Sequence, residues 1–187
     1  MKKVVMLFAE GFEEVEALMT VDLLRRAEVE VTMASVEDGM EQVMGSHGIG
    51  ITMDGNMNEV NWEQQDAVIL PGGMPGTLHL GDSEAVCEMV KKMNAEGKIV
   101  AAICAAPSVL GACGVLEGKR ATSYPGFEEK LTGATVVTDQ PVVADGNVIT
   151  SRGLGTSMEF GFKLIELLVS KEKAEEIRQQ IIFMYSL

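Results

Sequence analysis

The chain has 187 residues, 47% of them apolar and 23% charged. That length and balance suit one folded domain over residues 1–187 and exclude global disorder. The formal net charge of −13 opposes binding to nucleic acid or an anionic membrane surface, both of which need a positive patch. No apolar run approaches membrane-spanning length.

Along the chain, apolar runs of strand length alternate with segments of helical period. Val4 to Phe8 reads as a buried strand. Glu13 to Ala27 reads as a helix, with Val15, Leu18, Met19 and Leu23 at three- and four-residue steps. Val29 to Ser35 alternates like a strand, and Met44 to Thr52 reads as a small glycine-containing ribbon. Ala67 to Leu70 is a short buried run ended by the turn signal Pro71-Gly72-Gly73. Asp82-Ser83 caps a helix from Glu84 to Glu96, closed by Gly97. Ile99 to Ile103 is the next strand and Ala105 to Ala112 the next helix. Thr135 to Val137, Val142 to Ala144 and Asn147 to Thr150 are short strands, with Asp145-Gly146 a hairpin turn. Thr156 or Ser157 caps a helix to about Val169, and Lys171 to Ile182 is a terminal helix.

This alternation predicts an α/β fold, a mostly parallel sheet with helices on both faces. Sites in such sheets form at the carboxyl ends of the strands. The residues after Phe8, Leu70, Ile103 and Thr150 are therefore the places to look.

Three cysteines, Cys87, Cys104 and Cys113, make an odd count without dense spacing, which argues against a disulfide framework. No Cys-x-x-Cys pair or Cys/His cluster suggests a zinc site, so no metal is expected. The start, Met1-Lys2-Lys3 and a short apolar stretch interrupted by Glu10, is too short for a secretory leader. A reducing cytoplasm is the expected compartment.

Cys104 stands apart from the other two. A strand runs into it, a helix leaves it, and the small residues Ala102 and Ala106 flank it at two positions either side. A sharp strand-to-helix turn needs small neighbours if one side chain is to project as a nucleophile. A helix N-terminus would lower the thiol pKa, and Pro107 suits a first helical turn. The bland alternative is a small core side chain, the expected fate of Cys87 and Cys113. Gly72 and Gly73 offer backbone N–H groups for an oxyanion, or simply end a strand. Glu13 and Glu14 complement the helix dipole. Glu16, if buried beside the sulfur, would have a raised pKa and trade protons with a substrate; otherwise it is a solvated helix charge.

Four segments carry a resemblance: Glu10-Gly11-Phe12-Glu13-Glu14-Val15-Glu16, Leu70-Pro71-Gly72-Gly73, Ala101-Ala102-Ile103-Cys104-Ala105-Ala106-Pro107, and Thr150-Ser151-Arg152-Gly153-Leu154-Gly155-Thr156. In this order they resemble the ThiJ/PfpI superfamily, most closely its parkinsonism-associated deglycase branch with the bacterial YajL-like proteins. The resemblance implies a flavodoxin-like three-layer sandwich, of the class I glutamine amidotransferase-like kind, that forms a homodimer. It implies Cys104 as nucleophile, Glu16 as the protonated carboxyl on its sulfur, and Gly73 and Ala105 as oxyanion-hole donors. Gly72, Tyr124 and Arg152 would support or bind substrate, with Arg152 either holding an anion or tying loops together. Glu13, Arg26 and His47 would fall near the dimer face. Two departures stand out. Ala105 follows the cysteine where the protease-like branch has His, and Tyr124 stands where the deglycase branch often has His. His79, after the Gly72-Gly73 turn, is the remaining imidazole that could approach the site.

The function implied is a cofactor-independent glyoxalase or protein deglycase acting on methylglyoxal-type 2-oxoaldehydes or their early protein adducts. The alternative is an oxidative-stress redox sensor or chaperone-like protein using the same cysteine. An intracellular cysteine peptidase or amidase ranks last, for want of a His beside the Cys.

Overall fold

The computed structural model describes residues 1–183. Its strands are β1 (Lys3–Phe8), β2 (Glu30–Ser35), β3 (Gln42–Met44), β4 (Gly50–Thr52), β5 (Gly55–Asn56), β6 (Ala67–Leu70), β7 (Ile99–Ile103), β8 (Arg120–Ala121), β9 (Thr135–Val136), β10 (Val142–Asp145) and β11 (Val148–Ser151). The helices are α1 (Glu14–Arg26), α2 (Gly76–Asp82), α3 (Glu84–Ala95), α4 (Pro107–Ala112), α5 (Ser157–Leu168) and α6 (Lys171–Gln180). A seven-stranded sheet runs in the order β10-β11-β7-β6-β1-β2-β5. Its pairings are parallel except for the β10–β11 hairpin at one edge.

Strand side chains alternate between two cores, as the two-residue period requires. Val4, Met6 and Phe8 of β1 face one core with Ala17, Leu24, Phe160 and Ile177 from α1, α5 and α6. Val5 and Leu7 face the other with Leu80, Val90 and Leu110 from α2, α3 and α4. The central strands are thus covered on both sides, which is why they read as unbroken apolar runs. Outside the sheet, β3 and β4 form an antiparallel ribbon over Gln42 to Thr52, starting two residues before the expected Met44, and β8 pairs with β9.

The chain order places β1, β6, β7 and β11 side by side with their carboxyl ends at one rim. That rim receives Glu10 to Glu16, Gly72-Gly73, Cys104 and Arg152-Gly153.

Two expectations need correction. Helix α2 was not anticipated: it contains Gly76 and Gly81 and lacks a clear apolar stripe. Cys87 of α3 and Cys113 at the end of α4 are brought together as a pair, with Cα atoms 5.5 Å apart, where two separate core thiols were expected. Their 26-residue separation gives no sign of this, because helix packing and not chain spacing brings them together.

Candidate active site

Cys104 sits immediately past β7 with φ of 65°. This left-handed conformation costs a non-glycine residue on the order of 1–3 kcal/mol and needs surrounding structure to impose it. Hydrogen bonds on both sides do so. Cys104 N–H donates to Ser151 O at 3.0 Å, and Tyr124 N–H donates to Cys104 O at 2.8 Å. Ala105 and Ala106 are buried, so larger side chains would have no room where the chain reverses. Pro107 opens α4, and Ser108 Oγ donates to Ala105 O at 2.7 Å. The thiol itself remains partly exposed.

Glu16 comes from the first turn of α1. Glu13 caps that helix, its carboxylate accepting from Glu16 N–H at 2.6 Å. The Glu16 side chain is directed inward and is only 1% exposed, so the solvated alternative does not hold. Its Oε2 accepts from Gly72 N–H at 3.1 Å. A Cβ at position 72 would lie 2.5 Å from both Cys104 Cβ and Glu16 Oε2, and 3.1 Å from Cys104 Sγ. Only glycine lets β6 end this close to the other two groups. Gly73 has φ of 98°, and a side chain there would strike the backbone of Phe12 and Glu13.

Burial drives the Glu16 carboxyl up from 4.5 to about 7, against hydrogen bonds from the Cys104 thiol and from the Gly72 and Leu154 N–H groups; nearby Glu13 pushes it further up. The Cys104 thiol goes up to about 12, first through burial, then through the charge and hydrogen bonding of Glu16, while the Ala105 and Gly73 N–H groups pull it down. This reverses the lowered thiol pKa expected from the sequence. Helix α4 has only six residues, so its dipole is small beside burial and a neighbouring carboxylate. Protonating Glu16 removes its charge and makes it a donor to sulfur. The two groups therefore act as one acid pair that takes its first negative charge near neutral pH.

The remaining residues divide. Gly72, Gly73 and Ala105 lie around the Cys104 sulfur. The ring of Tyr124 is half-exposed and reaches Gly153, where an added Cβ would be 3.2 Å from Tyr124 Cδ2. The guanidinium of Arg152 donates to Thr138 O, which favours the loop-tying role. His47 Nδ1 lies 2.8 Å from Glu14 Oε2 and 3.9 Å from Glu13 Oε1. Arg26 is at the opposite end of α1, on Asp22 at 2.6 Å, so these proposed interface residues do not form one cluster. His79 Nδ1 lies 2.9 Å from Glu10 O and is engaged there instead of at the thiol.

Glu14 does more than complement the helix dipole. It is buried, and Oε1 accepts from His47 N–H at 2.7 Å. Burial raises its pKa, but the His47 ring and the N–H groups of Glu14, His47 and Ile49 prevail and bring it to about 2. The ligand atoms of Glu13, Glu14 and His47 lie within 4.8 Å of one another, an arrangement that these hydrogen bonds already use. The Glu10 to Glu16 segment alone gave no sign of which carboxylate turns inward.

A family model for the DJ-1/PfpI family matches residues 2–167. The chain is 43% identical over 177 residues to Protein DJ-1 homolog B of Arabidopsis thaliana, covering 94% of this chain and 40% of that longer protein. It is 39% identical over 168 residues to a protein of Pyrococcus abyssi named as a deglycase, covering 89% of this chain and 99% of that one. The crystal structure of Drosophila melanogaster DJ-1beta superposes with a TM-score of 0.94 at 40% identity, covering 98% of this chain and 99% of that one. The structure of oxidized Toxoplasma gondii DJ-1 does so with 0.93 at 39%, covering 99% and 100%. With its cysteine turn, its inward glutamate and these matches over nearly all of its length, the chain belongs to the DJ-1/PfpI family.

Proposed function

We propose that the chain is a cysteine-dependent glyoxalase or protein deglycase acting on methylglyoxal-type 2-oxoaldehydes or their early protein adducts. The observation that carries this reading is the buried Glu16 carboxyl, with a pKa near 7, held against the partly exposed Cys104 thiol. One group supplies a nucleophile and the other a proton shuttle poised near working pH. The name of the Pyrococcus relative supports the same reading.

Proton transfer within the pair puts the charge on sulfur. The thiolate attacks the aldehyde carbon, forming a C–S bond and a hemithioacetal oxyanion. The Gly73 and Ala105 N–H groups, which already act on the sulfur, would receive that oxygen. Glu16 gives its proton to that oxyanion, and as a carboxylate it then takes the proton from the attacked carbon and returns it to the neighbouring carbonyl carbon, while the hydroxyl proton passes to that carbon's oxygen, leaving a 2-hydroxy thioester. Water cleaves the C–S bond, releasing a 2-hydroxy acid and restoring the thiol. The sum is 2-oxoaldehyde plus water giving the 2-hydroxy acid, an internal transfer of hydrogen that needs no external oxidant. With an early amine adduct, the amine departs as the same hemithioacetal forms. Tyr124 and Gly153 form the nearby wall, and Arg152 holds the loop that brings Leu154 N–H to Glu16.

Lactate formation from methylglyoxal tests the proposal. Cys104→Ser is expected to lower the rate by at least about 100-fold; equal rates would remove the cysteine from the chemistry.

A second reading uses the same sulfur as a peroxide sensor, with Glu16 donating to a sulfinate. The partly exposed thiol and the oxidized Toxoplasma relative favour it. Intact mass after mild peroxide should rise by two oxygens in the native protein and not in Cys104→Ala. A peptidase role lacks an imidazole at the thiol, since His47 and His79 are engaged elsewhere.

A homodimer is the proposed assembly. Exposed apolar Val15, Met44 and Ile49 surround the Glu13, Glu14 and His47 cluster, which suits a covered face. Light scattering at micromolar concentration should give twice the chain mass; a monomer would refute it.

A further inference from the structure

We propose that Cys87 and Cys113 form a second thiol–disulfide centre, separate from Cys104, that is reversibly oxidised by small-molecule disulfides. Cys87 lies in the first turn of α3, where its N–H donates to Ser83 O at 3.2 Å. Cys113 closes α4, its N–H donating to Val109 O at 2.9 Å. Both positions are thus fixed by helix backbone, and the Cα separation of 5.5 Å falls within the range a disulfide spans.

The surroundings accommodate both redox forms. Both side chains belong to the apolar core beneath α2, α3 and α4, where reduced cysteines pack as small hydrophobes. Their exposure is unequal: Cys113 is 5% exposed, whereas Cys87 is only partly buried. A soluble thiol or disulfide therefore meets Cys87 first, and Cys113 acts as the internal partner. Helix α4 is also the helix that leaves the Cys104 turn, so the link fastens its far end to α3.

The Cys87 thiolate attacks a sulfur of the external disulfide, breaking that S–S bond and releasing one thiolate, to leave a mixed disulfide on Cys87. The Cys113 thiolate then attacks the Cys87 sulfur and releases the second external thiol. Two protons leave the protein thiols, two electrons pass to the external disulfide, and one intramolecular S–S bond forms. An external dithiol runs the sequence backwards.

Full-length protein carrying Cys104→Ser, which removes the third thiol, is equilibrated in glutathione buffers of graded oxidised-to-reduced ratio, alkylated and analysed by intact mass and peptide mapping. The expected result is a cooperative two-electron transition from two alkylated cysteines to none, with a loss of two hydrogens and a cross-linked peptide pair containing Cys87 and Cys113. Dithiothreitol under native conditions should reverse it. In Cys113→Ser with Cys104→Ser, Cys87 should instead retain one glutathione. Both cysteines remaining alkylated in oxidised buffer, separate glutathione adducts on each, or a disulfide that native dithiothreitol cannot open would each overturn the proposal.

Discussion

Gly72 N–H donates to Glu16 Oε2 over 3.1 Å, tying the first turn of α1 to the end of β6 at the point where the Cys104 sulfur arrives. Three strand ends thereby converge on one proton-sharing pair.

Gly72→Ala tests how tightly they converge. The new methyl would come 2.5 Å from Cys104 Cβ and Glu16 Oε2; the first is fixed by the cysteine turn, and the buried Glu16 carboxyl could move away only by giving up its hydrogen bond from Gly72 N–H. Overpacking of this kind costs about 1–3 kcal/mol. Denaturant melts should show that loss together with slowed alkylation of Cys104. An unchanged midpoint and rate would show that the site is looser than described.

Glu16 makes stability depend on pH in a stated direction. Folding raises its pKa from 4.5 to about 7, chiefly by burial. The folded state holds this proton more tightly than the unfolded chain, so the contribution is complete below pH 4.5 and is lost as pH rises through about 7. Relative to Glu16→Gln, the native protein should lose no more than about 3 kcal/mol across that interval. Parallel stability curves for the two proteins would contradict this.

The Glu14–His47 contact has its own window. Glu14 is depressed from 4.5 to about 2, so its contribution is present above 4.5 and fades as pH falls through 2. His47 is raised above 6.5, first by its hydrogen bond to Glu14 and then by that residue's charge. Its contribution is complete below 6.5 and fades as pH climbs past the raised value. The stability gap between native protein and Glu14→Gln should therefore be widest from pH 4.5 to 6.5. Thermal melts over the acid range check it, and a gap that does not change with pH would rule the pairing out.

Tyr124 holds the cysteine turn through its backbone N–H, 2.8 Å from Cys104 O, and its ring is 50% exposed. Tyr124→Phe should shift stability by no more than about 0.5 kcal/mol and leave turnover nearly unchanged. Tyr124→His introduces an imidazole beside Gly153, and its pH–rate profile should gain a limb near ~6.5. A profile identical to that of the native protein would place the ring outside the reacting volume.

Much of the sheet was legible because β1, β6 and β7 are buried on both faces and therefore read as continuous apolar runs. The cysteine turn was legible from the small residues around it, and its link to Glu16 from the resemblance. Three features depend on tertiary placement. Glu14 and Glu16 both turn inward, for different partners, from one acidic segment. The direction of the Cys104 titration depends on burial and on the charge beside it, while the expected helix dipole comes from a single six-residue helix. Cys87 and Cys113 meet because α3 and α4 pack side by side. Helix α2 was missed because Gly76 and Gly81 weaken its helical pattern.

The most direct measurement is the pH dependence of iodoacetamide alkylation at Cys104, read by peptide mass in the native protein and in Glu16→Gln. A thiol that shares its negative charge with a carboxyl should show an inflection near pH 7, displaced in Glu16→Gln. The same inflection near ~8.5 in both proteins, the value of an ordinary cysteine, would contradict the shared proton on which the proposed chemistry rests.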